Sequence, residues 1–202
     1  AIVGEPTEMQ VAIGHKGKRA YRVNITGQSG HSALAPNFVS ALHLAVDYVK
    51  ALHELQSEIS HSSNKDEQYD IPYTTIHVGK LHSGSALNIV PDKAELKIEI
   101  RHLAEDDPNS IEDKFREIAG SLISDYTDLA DIHLLCEASY PGLAMPADNL
   151  AVTLTQQWTG EKTCKIVFGT EAGFIAELGV PTVVCGPGSM RDQGHQPNEY
   201  IS

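Results

Sequence analysis

The sequence predicts an α+β fold. A β-α-β-β-α-β unit of the ferredoxin-like type spans about residues 14–140 and is set into two pieces of an α/β domain, 1–13 and 141–202. Three observations carry this. Residues 94–101 alternate without a break, Ala94, Leu96, Ile98 and Ile100 facing one way and Glu95, Lys97, Glu99 and Arg101 the other, as a half-buried strand requires. Apolar residues at Phe38, Leu42, Ala45, Val49 and Leu52 recur at helical spacing. From Pro141 the texture changes, and Val180 to Cys185 is a continuous apolar run, which suits a strand buried on both faces.

The elements follow in order. Ala1-Ile2-Val3-Gly4 is a strand-like run at the very start, and the chain closes on Tyr200-Ile201-Ser202 with no polar tail, so it reads as a segment of a longer protein. Tyr21, Val23 and Ile25 alternate with Arg22, Asn24 and Thr26 in a strand over 19–26, and Gly27 and Gly30 bracket a turn that carries His31. The helix over 38–52 comes next, and the polar stretch 56–70 reads as an exposed loop. Residues 73–80 and 94–101 are the second and third strands. Ser110 with Asp113 resembles a capping box ahead of the stripe Ile111, Phe115, Ile118 and Leu122. Ile132, Leu134 and Cys136 suggest the fourth strand, completing an antiparallel sheet with two helices on one face. Residues 148–159 form a helix that Gly160 ends, and a Gly-rich loop runs from Gly186 to Gln196.

Composition limits the partners. The net charge is −12 and no Lys/Arg cluster stands out, which excludes nucleic acid and anionic membranes as natural partners. No run approaches the roughly 20 apolar residues of a membrane span. The three cysteines, Cys136, Cys164 and Cys185, are odd in number, form no CxxC and lie in or beside apolar runs. They read as buried free thiols of a reducing, cytoplasmic compartment.

Several residues are candidates for chemistry. Glu5 follows a buried-looking strand, and ligands of α/β sheets bind at the carboxyl ends of strands. His195 follows a glycine-rich turn, and neutral imidazole is the commonest protein metal ligand. Together they offer one oxygen and one nitrogen donor, a pairing that suits zinc but is too small for a complete site. Asn88 lies in a turn between strands, where its ordinary role is to bond nearby backbone. Arg101 closes its strand on the polar side, where it can grip a carboxylate or join a surface ion pair. Gly186-Pro187-Gly188 is a turn without the Lys of a phosphate loop. His43, His53, His61, His77 and His133 read as structural or solvated, and His15, His82 and His102 stay undecided.

Six motifs in order resemble one family: Gly4-Glu5-Pro6-Thr7, Gly30-His31-Ser32-Ala33, Asn88-Ile89-Val90-Pro91, the strand ending in Arg101, Gly169-Thr170-Glu171-Ala172-Gly173, and Gly186-Pro187-Gly188 through His195-Gln196-Pro197-Asn198-Glu199-Tyr200. The chain is similar to the second half of the zinc amidohydrolases that include acetylornithine deacetylase, succinyl-diaminopimelate desuccinylase, aminoacylases and glutamate carboxypeptidase. Its later motifs are closest to the acetylornithine deacetylase branch.

The resemblance implies roles for these residues. Glu5 and His195 would each hold one metal of a two-zinc site, with cobalt or manganese as alternatives. His31 would enter the partner subunit's site and stabilise the tetrahedral intermediate. Asn88 and Arg101 would bind substrate, Arg101 through a carboxylate. Thr170, Gly186 and Gly188 would line the pocket, and the inserted unit would be a lid and dimerisation domain. The expected reaction is deacylation of an N-acyl amino acid, N-acetylornithine of arginine biosynthesis foremost, in a homodimer. The family's other ligands and its Glu-Glu general base do not occur in this chain, so the segment alone is expected to be inactive. A dimerisation or small-ligand-binding module without catalysis is the alternative.

Overall fold

A computed structural model describes every residue except Ser63, Asp192, His195 and Ser202. The strands are β1 (Ile2–Val3), β2 (Val11–His15), β3 (Gly17–Thr26), β4 (Thr75–Ser83), β5 (Lys93–His102), β6 (Asp131–Tyr140), β7 (Leu143–Ala144), β8 (Thr163–Ile166) and β9 (Val183–Val184). The helices are α1 (Ala41–Ser62), α2 (Pro108–Ile123), α3 (Leu150–Thr159) and α4 (Ala172–Glu177).

Alternation builds the smaller sheet. Its order is β4-β5-β3-β6 and every neighbouring pair is antiparallel. Tyr21 lies opposite Ile98, Val23 opposite Leu96 and Ile25 opposite Ala94, all buried. The inner face meets α1 and α2 in one cluster that includes Tyr48, Leu52 and Phe115. Burying each large side chain there stabilises the fold by about 1.5–3 kcal/mol. The outer face is polar, and Arg22 and Lys97 both reach the Glu137 carboxylate.

Several expectations are corrected. The helix after His31 begins at Ala41 and runs to Ser62, so residues 56–62 are helical and His61 is in α1. Residues Ser32–Asn37 form a 3-10 turn instead, and Phe38 is extended. The buried stripe is Ala41, Leu44, Ala45, Tyr48, Leu52, Leu55 and Ile59, with Leu42 and Val49 only half-buried. The second strand is shifted to Thr75–Ser83. The cap of α2 is Asp107, whose side chain accepts from Asn109 N, with Pro108 at the first helical position; Ser110 and Asp113 lie inside the helix. Cys136 is exposed and Cys164 half-buried, leaving only Cys185 buried. The register of β6 on β3 slips between Ala20 and Tyr21, leaving Glu137 as the extra residue of a bulge, and β6 is exposed from Leu135 to Ser139. Of the Val180–Cys185 run, Thr182 to Cys185 are buried while Val180 is exposed.

The larger sheet is mixed. Its order is β1-β9-β2-β7 with β8 on β2; β1 runs parallel to β9 and β2 parallel to β8. β2 is buried along its whole length. Helix α3 is capped by Asn149 and stopped by Gly160 at φ 74°, a left-handed position that favours glycine.

The two sheets meet at a joint. Lys16 alone separates β2 from β3, and Pro141-Gly142 alone separates β6 from β7. The segment 64–74 crosses between them as a strap. Lys16 Nζ donates to the Ile71 and Tyr73 carbonyls at 2.8 and 2.6 Å. Lys165 of β8 pairs with Asp66. The buried Tyr69 ring has the Lys16 and Lys165 ammoniums 5.6 and 5.3 Å from its centre, at cation–π distance.

Candidate functional site

The expected site residues fall into three places. The first is the turn after β1. Thr7 N and Met9 N donate to the Gly186 carbonyl at 3.2 and 3.0 Å, Glu8 N donates to Gly188 O at 2.9 Å, and Gly186 N donates to Thr7 Oγ1 at 3.1 Å. A Cβ at Gly186 would lie 2.7 Å from the Glu5 carbonyl, so only glycine permits this approach. Gly188 takes φ +91°. Glu5 is half-buried beside a hollow lined by Pro187, Gly188, Ser189, Glu199 and Tyr200. No described residue bonds its carboxylate, which leaves both oxygens available to a cation. His195 lies outside the described residues. Among those described, no three His, Cys, Asp or Glu side chains converge on one point. Glu5 therefore fits a zinc site by donor chemistry, as one ligand of a set that this part of the chain does not complete.

The second place is the joint. Arg101 Nε donates to Glu99 Oε1 at 2.6 Å and Nη1 to the Tyr140 hydroxyl at 2.5 Å; its Nη2 bonds none of the described residues. Lys18 grips the other Glu99 oxygen at 2.7 Å. Burial alone would raise the Glu99 carboxyl, but its bonds to Lys18 and Arg101 outweigh that and hold it below the usual carboxylate range. The Tyr140 ring lies against Gly169, where a Cβ would come 2.1 Å from it. Next in the chain, Thr170 is buried; its Oγ1 sits 3.2 Å from His15 Nε2 and accepts from Ala172 N at 3.1 Å. The structure thus joins Arg101 to the Gly169–Ala172 turn through Tyr140.

The third place is the far end of the smaller sheet. His31 is exposed, and its Nδ1 accepts from Ala33 N at 3.2 Å, which leaves Nε2 facing outward. Ser32 N donates to the Asn88 carbonyl at 3.0 Å and Val90 N to Gly30 O at 2.8 Å, so His31 and Asn88 share one tip, with Leu87 fully exposed beside them. Lys18 lies opposite Arg101 and Thr26 opposite Lys93, so this tip is about eight strand residues, roughly 27 Å, from Arg101. Within one chain, Asn88 keeps company with His31 and not with Arg101.

Residues 13–127 match the peptidase dimerisation domain of the M20 peptidases. The chain belongs to the M20 peptidase family. It is 34% identical over 201 residues to an acetylornithine deacetylase of Proteus mirabilis, covering all of this chain and 51% of that one. A second acetylornithine deacetylase, of Aliivibrio fischeri, is 32% identical over 201 residues, with 100% and 52% covered. This M20 chain therefore spans about half the length of the curated relatives it matches. Its fold is similar to that of a solved aminopeptidase of Bacillus cereus, with a TM-score of 0.69 at 20% identity over 92% of this chain and 48% of that one.

Of two further residues at the joint, Tyr140 carried no flag in the sequence and His15 was one of three undecided histidines. Tyr140 sits where the texture changes, and an aromatic before Pro141 is an unspecific signal. His15 closes a strand buried throughout, and an imidazole at the end of such a run was the available clue.

Proposed function

We propose that this chain is the lid-and-dimerisation part, with a share of the catalytic α/β domain, of an amidohydrolase that deacylates N-acyl amino acids in the cytoplasm, N-acetylornithine first among them. The observation that carries the reading is the likeness to acetylornithine deacetylases along the whole chain. Residues 14–140 are assigned to the lid, and 1–13 and 141–202 to the catalytic domain. A sheet of order β4-β5-β3-β6 with both helices in one core supports reading the lid as ferredoxin-like.

In this reading Glu5 and His195 each hold one of two zinc ions, the remaining ligands lying outside this chain. Bound there, such a pair acidifies a water and polarises an amide carbonyl. The chain's own residues bind and orient. Arg101 turns its Nη2 edge to the substrate carboxylate, with Tyr140 and Glu99 fixing the guanidinium plane. Thr170 and the Gly186–Gly188 turn shape the pocket wall. His31, too far from Arg101 to serve the same molecule, donates from Nε2 to the oxyanion in the partner subunit of a homodimer. A pairing module without chemistry is the second reading, favoured by the match of 13–127 to a dimerisation domain.

The test is the product of the complete reading frame, assayed for acetate release from N-acetylornithine and from its carboxamide. Arg101→Lys should lower kcat/KM roughly ten- to a hundredfold on the acid, the scale of a charge-assisted hydrogen bond, and far less on the amide. Equal losses on both would remove Arg101 from the site. No release of acetate by the complete product would leave the pairing module.

A further inference from the structure

His15 lies on the joint and takes no part in the chemistry above. It is fully buried, Nδ1 is 3.1 Å from the Lys16 carbonyl, and Nε2 is 3.2 Å from Thr170 Oγ1. A carbonyl only accepts, so the proton of this imidazole is on Nδ1. Nε2 of a neutral ring is then an acceptor, and the Thr170 hydroxyl is the donor that faces it. That choice turns the remaining lone pairs of Oγ1 toward Ala172 N, which donates at 3.1 Å. A single placement of each proton thus satisfies Lys16 O, His15, Thr170 and Ala172 together. Burial disfavours the charged ring and pushes the His15 pKa down.

We infer that His15 is a positioning residue for substrate recognition, a neutral brace that ties the Gly169–Ala172 turn to the strand leading into the smaller sheet. Its effect on substrate rests on the reading of that turn as a pocket wall. The turn is held from two sides: Tyr140, bonded to Arg101, presses on Gly169, and His15 fixes the next residue. Without the brace, Thr170 is free to rotate and the wall facing Arg101 loosens. Such a change weakens binding of ground state and transition state alike, so KM rises while kcat holds.

Two measurements test this. On this chain, nitrogen-15 NMR of the imidazole should show the Nδ1–H tautomer, and His15→Leu should speed amide exchange at Ala172 about five- to tenfold, the scale of one hydrogen bond. On the complete product, His15→Leu should raise KM for N-acetylornithine about tenfold with kcat within twofold. His15→Gln, whose amide oxygen can replace Nε2 as acceptor, should restore most of both. An Nε2–H tautomer in the unmodified chain would overturn the brace, whether or not the variants fold. So would an unchanged Ala172 exchange rate, or Gln and Leu variants equally impaired. A normal tautomer with faster Ala172 exchange, in a complete product that releases no acetate, would sink the proposed reaction and leave the brace standing.

Discussion

The smaller sheet and the larger one are held together in different ways. Strands of the smaller sheet run nine or ten residues, and their inner faces share a single cluster with α1 and α2. Strands of the larger sheet run two to five residues. Its buried side chains are split between two small groups, Ala12, Leu143, Ile166, Ala172 and Val184 in one, and Val11, Ile13, Val152 and Val183 in the other. Beside the second group, Ile2, Leu150, Trp158 and Val180 remain exposed around a hollow. The contrast teaches that long alternating strands supply their own core, whereas the short strands draw their order from polar ties at the joint. Those ties are the strap and the pair His15 with Thr170.

The largest effect should come from the core. Phe115 is fully buried, edge-on to Tyr21 at 5.7 Å between ring centres. Phe115→Ala should cost about 3–5 kcal/mol in urea unfolding followed by circular dichroism. A loss under about 1 kcal/mol would break the comparison, because the single cluster would not be the main source of stability.

Acid should act on the joint instead. His15 and His102 are buried, and desolvation lowers both from the ordinary value of 6.5. The unfolded chain takes up these protons near pH 6.5 and the folded chain only at lower pH. Stability is therefore full above about pH 6.5 and is lost as the pH falls below it, by up to roughly 1.4 kcal/mol per pH unit for each imidazole. Hydrogen exchange at pH 5.5 should rise first in 11–17, 101–103 and 169–173, with residues 94–98 of β5 still protected. Uniform loss of protection across both sheets would show that the joint is not the acid-sensitive part.

The smallest effect belongs to the strap. Asp66→Asn keeps the shape but removes the charge facing Lys165, whose side chain is 13% exposed. About 1–2 kcal/mol should be lost, because a partly buried cation loses its carboxylate and keeps only the Tyr69 ring. Exchange should quicken in 64–74 and β8 while α2 stays unchanged; a change confined to α2 would refute the strap's role.

What the sequence made legible follows the same division. The alternation at 94–101 and 21–25 located β5 and β3 because each side chain there answers to one sheet face. The end of α1 was harder, since Ser, Glu and His residues mask the stripe, although Leu55 and Ile59 continue it at helical spacing. The cap of α2 went to Asp107 because Pro108 already fixes the helical φ of the first position. Tyr69 had no local signal at all: the ammoniums beside its ring belong to Lys16 and Lys165, both distant in the chain. At the candidate site, Arg101 and Thr170 were named without the residues that connect or brace them. Tyr140 and His15 act through tertiary contacts that no spacing records.

The placement of His31 and Asn88 about 27 Å from Arg101 has a consequence for concentration. An acyl amino acid is too short to touch both ends of one sheet. Any turnover that draws on Arg101 and on the His31 tip must use two copies, so its rate follows the population of pairs. Specific activity would then fall on dilution below the dissociation constant of the pair and recover on adding chains crippled at Arg101 but intact at His31.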